Sequence, residues 1–104
     1  MLEIHNPESH LIEYSTLYNE KKYIEILDKF LAEKSQLESN PNILNIIGAS
    51  HQQLNNMELA KEYFEKSSEL NPNDPQIVYN LANLEYRDKS YQKAFDLYHK
   101  ALNN

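Results

Sequence analysis

Cysteine is absent from the 104-residue chain, and glycine occurs once, at Gly48. Without cysteine there is no disulfide framework and no thiolate chemistry. Phosphate-cradling loops need several glycines so that the backbone can approach the anion, and a single glycine sets P-loop and dinucleotide folds aside. Arginine is scarce too, with Arg87 alone, and 10 Lys+Arg face 16 Asp+Glu for a net charge of −6. A nucleic-acid or anionic membrane surface would repel such a chain. No apolar run approaches the 18 or more residues of a membrane-spanning helix. The opening MLEIHNPESH has neither the basic nor the apolar region of a secretory signal. These absences lead to the expectation of a cytoplasmic protein. Few glycines and no long β-branched runs favour helix throughout.

What is present is repetition. NPESH begins at residue 6, NPNIL at 40 and DPQIV at 74, so Pro7, Pro41 and Pro75 are spaced 34 residues apart. An Asn or Asp side chain accepts from the orphan N–H groups of a first helical turn. Proline in that turn has no N–H to leave unpaired. Helices are therefore expected to start at Pro7, Pro41 and Pro75. Helical spacing then aligns Ile43, Leu44, Ile47 and Leu54 in one segment, and Ile77, Val78, Leu81 and Leu84 in another. Polar breaks follow at 19–22, 55–56 and 88–90. After each break comes a second apolar stripe: Tyr23, Ile26, Leu27 and Phe30; Met57, Ala60, Phe64 and Ser67; Tyr91, Ala94, Tyr98 and Ala101. Asn71 is expected as a left-handed C-cap ahead of Pro72.

The result is six helices in three hairpins, about 7–40, 41–74 and 75–104. A 34-residue helix–turn–helix period resembles the tetratricopeptide repeat. Leu44, Ile47, Gly48, Ala60, Phe64 and Pro72 stand where that family prefers large, large, small, Ala, aromatic and Pro. Val78, Leu81, Ala82, Ala94, Tyr98 and Ala101 follow the same pattern. Gly48 and Ala82 would let the two helices of a hairpin approach closely. The first repeat diverges. Counted strictly from Pro7, it puts Glu13 and Tyr14 on the core pair and buries a carboxylate. A register moved by one residue, with a turn one residue shorter, brings Leu11, Tyr14, Ser15 and Tyr18 inward instead and is the expected one. The resemblance implies an all-α, right-handed superhelical solenoid of three hairpins, a single domain over residues 1–104.

The residues give no catalytic constellation. His5, His10, His51 and His99 lack the i, i+4 spacing of a helical metal site. His51 stands where the family often has an aromatic residue, so packing is its expected role. Glu58, Glu62, Glu65 and Glu69, interleaved with Lys61 and Lys66, read as a solvated, ion-paired face. No catalytic residues, no metal and no cofactor are expected, and the chain is read as not an enzyme.

In the family that the chain resembles, the first helix of each hairpin lines a concave groove that receives an extended peptide or partner helix. Carried over, the groove positions are Asn42, Asn45, Ile46, Ala49, Gln52 and Gln53, then Gln76, Tyr79, Asn80, Asn83, Tyr86 and Arg87. The first repeat supplies Leu11, Ile12, Ser15, Tyr18 and Asn19. Asn45, Gln52, Tyr79, Asn80, Asn83, Tyr86 and Arg87 form the candidate peptide-binding set. Asn offers donor and acceptor to a peptide backbone, and Tyr gives contact area at low entropic cost. The cationic clamp with which chaperone-binding members hold an acidic tail is replaced by Leu11 (or Ile12), Ser15 (or Thr16), Ile46, Gln76 and Asn80. That argues against acidic chaperone tails as ligands.

Phe95 and Leu102 replace Lys61 and Ser68 on the last helix; they read as partly covered by Lys93, Lys100 and the C-terminal tail, as the face for a next repeat of a longer solenoid, or as a candidate homodimer face. The resemblance implies a scaffold or adaptor with a protein or peptide partner, and neither nucleic acid nor membrane. The alternatives are a homodimeric self-assembly module through Phe95 and Leu102, or a chaperone for a secreted or membrane client.

Overall fold

The computed structural model describes residues 7–103, and all six elements are α-helices: α1 Pro7–Asn19, α2 Tyr23–Leu37, α3 Pro41–Gln53, α4 Met57–Leu70, α5 Pro75–Arg87 and α6 Tyr91–Leu102. The Asx–Pro reading of the helix starts holds at Pro41 and Pro75, while Asn6 lies outside the described residues. Asn40 Oδ1 accepts from the N–H groups of Asn42 and Ile43 at 3.1 and 3.2 Å. Asp74 Oδ1 accepts from Gln76 and Ile77 at 2.9 and 3.4 Å. The helices at Pro41 and Pro75 thus begin with two orphan donors satisfied.

The hairpin turn is built the same way three times. Lys21, Asn55 and Lys89 take left-handed φ of 61°, 66° and 63°. Behind each, an N–H reaches back five residues: Lys22 to Leu17, Asn56 to His51 and Ser90 to Glu85, at 2.8–2.9 Å. That is the Schellman closure of a helix C-terminus. All three turns have equal length, so the expected shorter first turn is not found. Tyr14 is fully buried and Glu13 lies outside, paired to Lys29 at 3.3 Å, while Ser15 and Tyr18 are half-buried. The inward and outward choice was right, but its mechanism was not. Tyr14 occupies the slot held by Gly48 and Ala82 in the other hairpins. Its ring keeps α1 off α2, and the first hairpin is opened relative to the other two. The phenol donates to Glu33 Oε1 at 2.7 Å.

Asn71 corrects a second expectation. It caps α4, but with φ −142° rather than left-handed, its N–H bonding Ser67 O at 3.0 Å. Pro72 is the cause, since the residue before proline is driven to extended backbone.

Gly48 has the role expected of it. A Cβ there would meet Phe64 Cδ1 at 2.7 Å and Ala60 O at 3.2 Å, so helices α3 and α4 are too close for any side chain. One core cluster joins Tyr14, Ile26, Phe30, Leu37, Ile43, Leu44, Ile47 and Tyr63 across the first two hairpins. A second joins Ala60, Phe64, Leu81 and Leu84, with Ala49 and Leu97 packed beside it. Each hairpin therefore buries its apolar stripe against its neighbour. The backbones of α1, α3 and α5 approach one another in succession, whereas α2 meets α4 through long side chains, with Phe30 and Tyr63 edge to face at 5.8 Å. The stack bends toward the α1/α3/α5 layer, which is its concave side.

Candidate functional site: the concave face

On the concave face, α3 and α5 are tied by one side-chain bond: Asn80 Nδ2 donates to Asn45 Oδ1 at 3.0 Å. The pairing residues differ by one repeat plus one position, which is how neighbouring hairpins mesh. The bond uses one amide N–H group and one amide oxygen. Asn45 Nδ2 remains as a donor and Asn80 Oδ1 as an acceptor, which match a peptide C=O and N–H. One turn along α5, Asn83 Oδ1 accepts from the Tyr98 hydroxyl at 2.5 Å.

Tyrosine rings frame these amides. Tyr79, 52 % exposed, tilts against Tyr98 with centroids 5.6 Å apart. Tyr86, 58 % exposed, meets Tyr91 edge to face at 5.3 Å. The first hairpin repeats that pair as Tyr18 and Tyr23, also at 5.3 Å. Burial raises the Tyr18 hydroxyl above its ordinary pKa, against an opposing bond from Gln53. Desolvation does the same for Tyr98, reinforced by Tyr79 and Tyr86. Both phenols are neutral donors near neutral pH.

Of the seven candidate groove residues, Asn45 and Asn80 are in contact. Tyr79 and Asn83 are linked to each other through Tyr98. Gln52 is half-buried one turn beyond, and Tyr86 lies at the far end. Arg87 is exposed and turns away, lining a notch between α4 and α5. Tyr98 was not among the candidates. Its position in the repeat marks it as a core aromatic, whereas its hydroxyl bonds Asn83 on α5.

Between α5 and α6, Pro75, Gln76, Tyr79, Tyr98, Ala101 and Leu102 line a shallow apolar depression of about 450 Å³. Phe95 and Leu102, the candidate dimer residues, are 59 % and 83 % exposed. His51 stacks on Tyr63 at 5.7 Å with the rings 12° from parallel, as its packing role required. Burial lowers its pKa, with Glu62 opposing. His5 lies outside the described residues. Among the described residues no cluster of His, Asp and Glu is arranged to hold a metal, and no helix is long and apolar enough to cross a membrane.

Residues 41–74 match the family profile of the tetratricopeptide repeat. The same backbone landmarks recur at 34-residue intervals on either side. The chain carries a tetratricopeptide repeat. It is 35 % identical over 85 residues to the type IV pilus assembly protein PilF of Pseudomonas aeruginosa, a match covering 79 % of this chain and 33 % of that protein. A solved structure of Pseudomonas aeruginosa pilF superposes with a TM-score of 0.80 at 27 % identity, over 94 % of this chain and 45 % of that one. The chain thus spans about a third of the curated relative's length. The architecture is the right-handed superhelical stack of its family, and the family implies protein partners.

Proposed function

We propose that this tetratricopeptide-repeat chain is a docking module that receives an extended peptide or a helix of a protein partner in its concave groove and does no chemistry of its own. The observation that carries the reading is the Asn45–Asn80 pair. It holds an unused donor and an unused acceptor side by side between exposed tyrosines, spanning two repeats. Such a surface reads a neutral or mildly polar segment mainly through its backbone, with Tyr79 and Tyr86 supplying contact area. The relative's name supports a component of a pilus-assembly apparatus as the partner. The test is capture of that partner by the parent and by Tyr79→Ala/Asn80→Ala, with helical content measured in parallel.

A second reading rests on the exposed apolar residues of α6. Phe95 and Leu102 stand beside the apolar depression and would be covered in a homodimer. Light scattering across a concentration series tests it. The reading predicts twice the chain mass for the parent and one chain mass for Phe95→Glu. A parent at one chain mass throughout contradicts it.

A further inference from the structure

The solenoid leaves a notch wherever a hairpin turn meets the next hairpin. Between the first and second hairpins its walls include Tyr23, Ile24 and Leu54. Between the second and third, the same repeat positions carry Met57, Glu58 and Asp88 around a notch of about 330 Å³, with Lys61, Glu85 and Arg87 completing the wall.

Glu85 is the anomaly. It holds the repeat position of Leu17 and His51 and is 4 % exposed. Its Oε1 is buried without a hydrogen bond. The nearest cation, Lys61 Nζ, lies 3.5 Å away on a side chain that is itself 35 % exposed. That contact is an ion pair without hydrogen-bond geometry. A buried carboxylate oxygen left half-satisfied costs stability, and the other two repeats avoid the cost with Leu and His. Lys61 and Arg87 leave Glu58, Glu85 and Asp88 one positive charge short of neutrality.

The geometry points to a binding site for one basic side chain. We propose that this notch takes an arginine or lysine of a protein partner, its N–H groups displacing Lys61 to bond the Glu85 carboxylate while its stem lies along Met57 and Leu84. A planar guanidinium suits a carboxylate best, since it donates two parallel bonds. Only the source of the cation rests on the protein-binding reading. The site itself is independent of the concave groove.

The test is a titration of isotope-labelled protein with acetyl-Gly-Arg-Gly-amide, read by NMR, with acetyl-Gly-Gln-Gly-amide and ethylguanidinium as comparisons. The expected result is saturable shifts confined to the amides of residues 55–61 and 84–88, with the arginine peptide bound more tightly than either comparison. Glu85→Gln should weaken binding by about ten-fold or more, the loss of one charge-assisted bond. Glu85→Leu, which installs the residue of the first repeat, should abolish binding and raise the melting temperature. A purely structural Glu85–Lys61 pair would instead make that variant melt lower. Tyr79→Ala/Asn80→Ala should bind the peptide as the parent does, so failure of the groove reading is distinguishable from failure of this one. Dispersed or non-saturable shifts, equal binding of the glutamine peptide or of ethylguanidinium, or unchanged binding in the Glu85 variants would overturn the proposal.

Discussion

Gly48 and His51 stand one turn apart on α3, and each makes a prediction. A Cβ at residue 48 would press on two carbons of a buried Phe64 ring at 2.7 and 2.8 Å. The ring has nowhere to go, so Gly48→Ala should destabilise by about 1–2 kcal/mol despite its better helix propensity. Thermal unfolding should show a melting point lower by about 4–15 °C. His51 is held neutral by burial, with its pKa below the ordinary 6.5. The unfolded chain then binds more protons than the folded one as pH falls below about 6.5. This residue's contribution is whole above that pH and is lost progressively below it. Urea titrations between pH 7.5 and 5 should show the decline, and His51→Phe, which keeps the stacking on Tyr63, should flatten it. The roles of both residues were legible from their repeat positions. That of Glu85 was not. Its neighbours Leu84, Tyr86 and Arg87 read as apolar stripe and groove lining, and only the meeting of α4 with α5 puts its carboxylate out of water.

At the level of the helices, the Asx–Pro starts, the six elements and their 34-residue period were legible, because capping and apolar spacing are local signals. The first hairpin shows where local reading stops. Sequence placed Tyr14 inward and Glu13 outward correctly but explained this by a shorter turn. The structure keeps the turn and opens the hairpin instead, a response of two packed helices to one large side chain. Asn71 is similar: the residue marks the helix end, while Pro72 decides its backbone angle. The turns themselves store strain. Lys21 and Lys89 hold left-handed backbone that costs a residue with a Cβ roughly 1 kcal/mol. Lys21→Gly and Lys89→Gly should each stabilise the fold by about 0.5–1 kcal/mol in denaturant titration, strain relief outweighing the added freedom of the unfolded chain. Either variant unfolding more easily than the parent would contradict the shared turn geometry.

The molecule as a whole is an elongated stack, 52 Å in its longest extent, curved toward the layer of α1, α3 and α5. The curvature turns three separate amphipathic hairpins into one continuous surface. Asn45 and Asn80, 35 residues apart in sequence, are joined there by a hydrogen bond. The carried-over groove positions included both amides but not Tyr98, whose hydroxyl bonds Asn83. Nor could they show that Arg87 faces the notch and not the groove. The central claim is that the concave face binds a protein partner. Its most direct test is the affinity of the captured partner for the parent and for Tyr79→Ala/Asn80→Ala, with circular dichroism recorded on both. The account predicts at least about a ten-fold loss of affinity, the equivalent of 1.4 kcal/mol, with unchanged helical content. Undiminished binding by a fully helical variant would contradict it.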